Sequence, residues 1–332
     1  MTRTLIAPVV VVSLLAELIR VNFQDIQKHP VTAFLQNCSI TVIRGEDAEI
    51  VLNRNLTIDI NQYPDNARIE SLLCDSTGRI SDRFIHANID EQIILIHNAK
   101  MGDQTRQRLL AGVSWDESVD ILNADSVLSH ITITGNDSSI LLRKLGVNPE
   151  ELKTGEWLNF NDALIASNES SSGIPVVDIL LRSESKQDLL EQMVEHGCVI
   201  GNESQWDTFR IRNGIIGTGE FAGSYIPYDL GLHHLVDLTK GCYPGQEIHA
   251  RMDSRNAQSR RLIRIQSEQA LTTGDYRNTD IGRITLTSVG HLDSMSYAFA
   301  LMSNKHESPD DFHLIREGVS INVFIFQDPA DL

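Results

Sequence analysis

The most distinctive stretch of the chain is Leu238-Thr-Lys-Gly-Cys-Tyr-Pro-Gly-Gln-Glu-Ile-His-Ala-Arg251. Gly241 and Gly245 permit a sharp turn with close backbone approach, and the proline before the second glycine fixes φ on the way in. Cys242 stands beside Lys240 in a loop that leads into a helix, a setting that favours the thiolate. The stretch therefore predicts either a reactive thiol at Cys242 or a tight turn before a helix with an incidental cysteine.

The pattern Lys-Gly-Cys-Tyr-x-Gly-Gln-Glu over residues 240–247 resembles the signature of the YgfZ family, folate-binding proteins related to the glycine-cleavage aminomethyltransferase GcvT. Four further segments resemble the family's pattern: Gly45-Glu-Asp-Ala48, Leu72-Leu-Cys-Asp-Ser-Thr-Gly-Arg79, Arg210-Ile-Arg-Asn-Gly-Ile215 and Ile281-Gly-Arg-Ile-Thr-Leu-Thr-Ser288. The likeness covers most of the chain but little of residues 1–38. It implies an α+β protein with the folate-binding fold of that group, namely two similar α/β subdomains and a C-terminal antiparallel β-barrel.

Three positions separate the two branches of this group. The aminomethyltransferases carry an Asp-Asp pair after the glycine hairpin, whereas this chain has Ser81-Asp-Arg83 there. Trp206 stands where those enzymes place an arginine that contacts folate, and they lack the cysteine found here at Cys242. A single carboxylate beside Arg83 is expected to stay ionised and to be a poor proton acceptor. All three differences point to the YgfZ branch. Asp82 itself has a structural alternative, as a surface or turn residue without a role in binding.

The resemblance implies tetrahydrofolate in a cavity between the α/β halves and the barrel, with Cys242 at its rim. Lys240 either activates the cysteine or binds a folate carboxylate as a point charge. Gly241 and Gly245 shape the loop. The candidate cofactor-binding residues are Trp206, Arg210, Tyr243, Gln246, Glu247 and Asp82.

Several of these candidates keep a structural alternative. Trp206 either stacks on a pterin ring or packs in the core, and Tyr243 has the same two interpretations, as a ligand contact or as a core residue. Glu247 serves equally well to satisfy the N–H groups at a helix N-terminus. His249 and Asp253, one helical turn apart, are interpreted as a surface pair rather than a catalytic dyad.

Composition limits the classes of function. The formal charge of −17 argues against stable binding to nucleic acid. The four cysteines lie far apart with no Cys-x-x-Cys, so the sequence predicts no metal site, no built-in iron–sulfur ligand set and a cytoplasmic, reducing environment. Cys74 and Cys198 are expected to be inert packing. The apolar run over residues 5–16 ends at Glu17 and is too short to span a membrane. A buried strand and the start of a helix are expected there instead.

A strand–Gly–x–Asp–helix unit occurs twice, at Gly45 and at Gly135, which predicts two similar halves that share a sheet. Between and after these units the pattern predicts strands over 69–80 (as a hairpin), 92–97 and 176–181, helices over 101–113 and 185–196, and an exposed loop over 167–173. Short β-rich runs at 262–266, 281–287, 297–302 and 320–326 predict a small antiparallel barrel, with a turn over 272–275. The predicted organisation is an N-terminal segment 1–38 of unclear role, a folate-binding domain 39–257 and a barrel 258–332.

The resemblance implies a folate-binding accessory protein for iron–sulfur cluster assembly or repair. Its expected partners are iron–sulfur proteins such as the radical enzymes that methylthiolate tRNA. Whether the chain is itself an enzyme stays open. The first alternative is a tetrahydrofolate-dependent aminomethyltransferase or demethylase, against which the missing Asp pair counts. The second is a thiol enzyme with Cys242 as nucleophile, which needs a base that the sequence does not place.

Overall fold

The computed structural model describes residues 31–170, 173–255, 258–305 and 310–326. The strands before the barrel are β1 Thr32–Leu35, β2 Ser39–Arg44, β3 Ile69–Cys74, β4 Ile80–Ile89, β5 Gln92–His97, β6 Asp120–Asn123, β7 Leu128–Thr134, β8 Trp157–Phe160, β9 Ala163–Glu169, β10 Pro175–Arg182 and β11 Val199–Gly201. The barrel strands are β12 Arg260–Ser267, β13 Gly274–Asn278, β14 Gly282–Leu292, β15 Met295–Ser303, β16 Asp311–Arg316 and β17 Val319–Ile325. The helices are α1 Ala48–Asn53, α2 Gly102–Ala111, α3 Ser138–Lys144, α4 Lys186–Glu195, α5 Glu203–Arg212, α6 Thr218–Phe221 and α7 Gln246–Arg255.

The first half is an antiparallel five-stranded sheet in the order β3-β4-β5-β2-β6. Helices α1 and α2 cover one face, where Leu52 and Leu109 join Ile43, Phe84 and Leu95 in a fully or almost fully buried cluster. Burying side chains of this size is the main favourable contribution to the stability of such a layer. The predicted hairpin 69–80, strand 92–97 and helix 101–113 are confirmed, the helix to within two residues at each end.

The second half is a six-stranded sheet in the order β11-β1-β7-β10-β9-β8. Strands β1 and β11 run parallel, and the other pairs are antiparallel. Strand β1 precedes the first half in sequence but pairs within this second sheet, so the predicted segment 1–38 includes one of its strands. The predicted strand 176–181 and helix 185–196 are confirmed as β10 and α4.

The repeated unit is present, but the two halves do not share a sheet. Gly45 and Gly135 both turn the chain into a helix with φ of 118° and 124°, values that L side chains rarely adopt. Strand β2 is paired on both sides by β5 and β6, and β7 by β1 and β10, so each sheet is complete without the other. The sheets instead meet at a shared buried cluster that includes Ile85 and Ile94 from one and Leu164 from the other.

The C-terminal strands form the expected closed antiparallel barrel, in the order β12-β15-β14-β13-β16-β17. Its interior is packed by side chains such as Ile284, Leu286 and Leu314. The sequence analysis did not indicate β13 or β16, two short strands in which buried residues (Tyr276, and Phe312 and Leu314) alternate with polar ones. Strand β13 also begins at Gly274, inside the predicted turn.

Two expectations fall partly or wholly outside the described residues. The apolar run 5–16 lies outside them. Residues 171 and 172 of the predicted loop 167–173 also lie outside them, and residues 167–169 of that loop belong to β9. Among the residues that the structure describes, no helix is both long and apolar enough to cross a membrane.

Candidate functional site

A cavity of about 540 Å³ lies where the two halves and the barrel meet. Its wall includes the connection from β1 to β2, residues of β4, β5, β7 and β10, the start of α5, and barrel strand β14. A volume in this range is typical of a small-molecule or cofactor pocket, and such pockets occur preferentially between domains. The location agrees with the cavity expected between the halves and the barrel.

The wall contains a buried carboxylate, Asp178, in the middle of β10. Its Oδ2 accepts hydrogen bonds from Arg68 Nε at 2.9 Å and Arg68 Nη2 at 2.8 Å. Its Oδ1 accepts from His130 Nε2 at 2.9 Å and from Thr132 Oγ1 at 3.3 Å. Burial alone disfavours the carboxylate, but Arg68 and His130 outweigh it and hold the pKa of Asp178 well below its usual range.

A second carboxylate, Glu70, continues this network along the wall. It forms ion pairs with Arg68 at 3.1 Å and with Arg83. Burial opposes ionisation of Glu70, yet the two guanidinium groups lower its pKa to about 2. The cavity wall therefore carries alternating positive and negative side chains, each neutralised by a neighbour.

Two of the predicted cofactor-binding residues, Trp206 and Arg210, line the cavity. Trp206 is half-buried and packs on Phe34 and Phe209, with ring centroids 5.2 Å and 5.7 Å away. Arg210 is buried and donates to Glu220 at 2.8 Å, Asp207 at 2.6 Å and Ser288 Oγ at 2.6 Å. The Arg210 guanidinium thus joins α5 to α6 and to the barrel.

Asp82 is fully buried in β4, so its interpretation as a surface or turn residue is wrong. One oxygen accepts from His97 Nδ1 at 2.7 Å and Thr105 Oγ1 at 2.6 Å, and the other accepts from the Arg83 backbone N–H at 2.8 Å. The Arg83 side chain pairs with Glu70 instead, because neighbours on a strand point to opposite faces. Asp82 contacts the cavity wall indirectly, through His97.

The signature loop packs on the β3–β4 hairpin. Gly245 has φ of 87° and lies directly against the backbone of Asp75 and Gly78. His249 is fully buried, with its Nε2 2.8 Å from the Gly78 carbonyl oxygen, so its interpretation as a surface pair with Asp253 is wrong. The helix turns His249 inward because the hairpin covers that face.

Lys240 attaches the same loop to the segment after α1. Its ammonium donates to the carbonyl oxygens of Asn53 at 2.5 Å, Leu56 at 2.8 Å and Ile58 at 2.5 Å. Burial lowers the pKa of Lys240 to about 8, against the raising effect of Asp59 and Asp237. These contacts direct the charge into the protein interior, where it satisfies backbone acceptors.

The other signature residues divide between the interior and the surface. Tyr243 is buried with its hydroxyl 3.3 Å from His249 Nδ1, and Gln246 Nε2 donates to the Lys240 carbonyl oxygen at 3.2 Å. Glu247 is exposed and pairs with Arg251 one turn along α7. Cys242 is exposed to solvent.

The structure therefore separates the predicted site residues into two groups. No residue of 238–251 lines the cavity, although the structure describes the whole stretch. Cys242 therefore lies away from the rim of this cavity, where the sequence analysis had placed it. Cys74 and Cys198 are buried as predicted, and burial raises the pKa of each thiol to about 12. Among the described residues, no group of three or more His, Cys, Asp or Glu side chains is placed to hold a metal ion.

Comparison with known proteins finds a structure of the same fold and several curated relatives. No family model matches the chain. The tRNA-modifying protein YgfZ of Pectobacterium atrosepticum is 27% identical over 240 residues, 69% of this chain and 68% of the relative. The YgfZ of Klebsiella pneumoniae is 23% identical over 304 residues, covering 85% and 88% of the two chains. The crystal structure of the glycine-cleavage aminomethyltransferase from Bartonella henselae superposes with a TM-score of 0.78, at 16% identity over 91% of this chain and 86% of that one.

The chain is similar in sequence to YgfZ proteins and has the fold of the aminomethyltransferase. Relatives named aminomethyltransferase also match. One from Staphylococcus epidermidis is 23% identical over 78% of this chain and 75% of the relative. The cavity wall contains several residues that the sequence patterns did not indicate, namely Cys38, Arg68, Glu70, His97, His130 and Asp178. A signal existed for Asp178, because it is the one carboxylate inside the apolar run Val176–Leu181.

Proposed function

We propose that the chain is a cytoplasmic folate-binding accessory protein that supports iron–sulfur cluster assembly or repair for radical tRNA-modifying enzymes. The similarity to YgfZ supports this proposal, since those relatives are named tRNA-modifying proteins. The central cavity between two α/β halves and a barrel carries the folate part of the proposal. The proposed folate-binding domain spans residues 39–257 and the proposed barrel domain residues 258–332.

The side chains of the cavity wall fit a folate. Trp206 offers an aromatic face on which a pterin would stack. Gln36 also lines the cavity, and its buried Nε2 has no hydrogen-bond partner among the described residues, so it is available to a ligand carbonyl. Tetrahydrofolate would supply a reduced pterin whose nitrogen atoms carry one-carbon units. In this proposal Arg210 and Asp82 hold neighbouring residues of the cavity wall in place through their hydrogen bonds.

The Trp206→Ala variant is expected to bind tetrahydrofolate about tenfold more weakly, because loss of an aromatic stacking face costs about 1.4 kcal/mol. Isothermal titration calorimetry under anaerobic conditions measures this change. Trp115→Ala is the matched control, since Trp115 is 97% exposed and does not line the cavity. Unchanged affinity in a Trp206→Ala protein that melts like the wild type would contradict the folate assignment.

The exposed signature loop is proposed as the part that meets the client protein. Cys242 is solvent-accessible on a loop held in place by Lys240 and Gly245. A lone thiolate cannot hold a stable cluster, so any iron–sulfur contact at Cys242 is shared with a partner. In this proposal, cavity and loop act at different places on the molecule.

We expect a strain that lacks the gene to lose 2-methylthio modification of tRNA, and the wild-type chain to restore it. Cys242→Ala is expected to restore little of it, and Cys198→Ala, which changes a buried thiol, serves as the control. Liquid chromatography with mass spectrometry of digested tRNA gives the readout. Full 2-methylthio modification of tRNA in the deletion strain would contradict the accessory role. Methylene-tetrahydrofolate formation from an aminomethyl carrier would then favour the transferase alternative, against which the fully hydrogen-bonded Asp82 counts.

A further inference from the structure

The loop between α2 and β6 carries Trp115, the most exposed of the large apolar side chains that the structure describes. The side chain is 97% exposed, so it contributes almost nothing to the core. A single exposed apolar residue is common on protein surfaces. The attachment of this loop and its neighbours distinguish Trp115 from such an isolated case.

The loop is fastened to both ends of α1. At the start of the helix, the Ser118 N–H donates to Asp47 Oδ2 at 2.8 Å. At the end of the helix, the Arg54 guanidinium donates to the Gly112 carbonyl oxygen. Trp115 lies between these two attachments. Its loop therefore has little conformational freedom to lose when a partner binds, which lowers the entropic cost of association.

Two further exposed apolar side chains lie beside this loop. Ile50 is 59% exposed and Leu110 is 50% exposed. Ile50 follows Asp47 by three positions and precedes Arg54 by four, so it lies on the face of α1 that meets the loop. Leu110 lies in the last turn of α2, where the loop begins. We call Ile50, Leu110 and Trp115 the tryptophan patch.

Carboxylates surround the tryptophan patch. The segments 44–54 and 110–120 contain six acidic residues and only two basic ones, both arginines. Each arginine is already paired with a carboxylate of these segments. Three exposed carboxylates form no ion pair within the part of the chain that the structure describes, namely Glu46, Glu49 and Asp116. The surface thus has an apolar centre and a rim of unbalanced negative charge.

The charge of the rim decides between classes of occupant. Carboxylates attract a cationic partner, and they repel the phosphates of nucleic acid and of an anionic membrane. A second copy of the chain is also disfavoured, because its formal charge is −17. Tryptophan is enriched among the residues that dominate the binding energy of protein interfaces. An apolar centre with an acidic rim therefore fits a basic, amphipathic segment of another protein.

We propose that the tryptophan patch docks a basic amphipathic segment of a partner protein. The apolar side chains of that segment pack on the patch, and its lysine or arginine side chains pair with the carboxylates of the rim. The surface is separate from the central cavity, since none of the three patch residues lines it.

The signature loop is fastened to the same end of α1 as the tryptophan loop. Lys240 Nζ donates to the Asn53 carbonyl oxygen at 2.5 Å, and Arg54, the next residue, donates to the tryptophan loop. One partner is therefore expected to contact both loops, so that its docking on Trp115 brings it to Cys242. This link between the patch and the client protein rests on the proposed function.

A model peptide tests the surface in the full chain. The probe is a fluorescently labelled amphipathic peptide of leucine and lysine, and anisotropy measures its affinity at about 0.15 M salt. Trp115→Ala is expected to weaken binding at least about tenfold, and so is the charge reversal Glu46→Lys, Glu49→Lys. Equal affinity of the wild type and Trp115→Ala for this peptide would overturn the proposal.

A charge reversal elsewhere on the chain provides the matched control. Asp188 and Glu195 are exposed on α4, in the other half of the protein. Asp188→Lys, Glu195→Lys is expected to change the affinity less than about twofold, although it alters the net charge by the same amount. An equal loss in this variant would show that the peptide follows net charge alone, and would overturn docking at the patch.

Photocrosslinking in cells identifies the natural occupant. p-Benzoyl-L-phenylalanine replaces Trp115, and Val319, which is 58% exposed on barrel strand β17, is the control position. Mass spectrometry of the crosslinked peptides is expected to find a basic amphipathic segment of another protein at the first position only. A product with a second copy of the chain, RNA or lipid alone, or no product beyond the control, would overturn the proposal.

The link to the client protein has its own readout. In the deletion strain, Trp115→Ala is expected to restore at most about half of the tRNA 2-methylthio modification that the wild-type chain restores. Full restoration by this variant would overturn the link. Failure of the proposed function is distinguishable, because it leaves tRNA modification intact on deletion and does not alter peptide binding.

Discussion

Replacing Asp178 by Asn is expected to lower the free energy of unfolding by about 3–5 kcal/mol, the usual cost of removing one partner from a buried ion pair. The substitution leaves Arg68 and protonated His130 facing a neutral amide inside the protein. Urea unfolding followed by circular dichroism measures the change. Asp120→Asn is the matched control, because Asp120 pairs with Arg44 at 3.0 Å but both side chains are at least half exposed. That control is expected to change stability by less than about 1 kcal/mol.

The loss caused by Asp178→Asn is expected to depend on pH. The pKa of Asp178 is lowered in the folded state, so its contribution is present above pH ~4 and is lost as the pH falls below that value. The pKa of His130 is raised to about 9, so its contribution is complete below its unfolded pKa, near 6.5, and is lost as the pH rises through about 9. The stability difference between wild type and variant is therefore largest between about pH 4 and 6.5. A difference that stays flat from pH 5 to 9 would contradict the His130–Asp178 pairing.

Replacing Gly245 by Ala is expected to destabilise the protein by about 3–5 kcal/mol, the sum of a left-handed backbone penalty and a steric clash. At φ of 87° an alanine is strained, and its Cβ would lie 2.5 Å from Gly78 Cα and 2.7 Å from the Asp75 carbonyl oxygen. Both neighbours are backbone atoms of the hairpin, so the loop must move away from it. Thermal unfolding measures the loss of stability, and limited proteolysis near Cys242 reports the displaced loop.

The other glycine of the same loop provides the control. An added Cβ at Gly241 meets no heavy atom within 4 Å, and Gly241 is not among the residues of positive φ. Gly241→Ala is therefore expected to change stability by less than about 1 kcal/mol. Similar losses in both variants would show that the loop does not depend on close packing of Gly245 on the hairpin.

The signature loop illustrates how a motif can be identified from sequence while its residues are assigned the wrong contacts. Lys240 was expected to act on Cys242 or on folate, yet its ammonium donates to three backbone carbonyls of the segment 53–58. His249 was expected at the surface and is fully buried against Gly78. In both cases the partner comes from a segment more than 170 positions earlier in the chain, which no local pattern can indicate.

Features that depend only on residues near one another in the chain can be predicted from the sequence. The hairpin around Gly78, the repeated turns at Gly45 and Gly135, and the apolar runs of the barrel follow from backbone conformation and from the alternation of side chains along a strand. The family resemblance extended this to the whole fold. The barrel strands β13 and β16 were not predicted, because each is only five or six residues long and carries one or two core side chains between polar ones.

Which distant residues share a site depends on the tertiary fold. His130 and Asp178 come from separate segments and meet because β7 and β10 are neighbours in one sheet, and both line the cavity. The same strand pairing completes each sheet by itself, so the two halves pack face to face rather than edge to edge. Strand order and register are set by the burial of whole sheet faces, a property of the assembled chain that short-range sequence patterns do not contain.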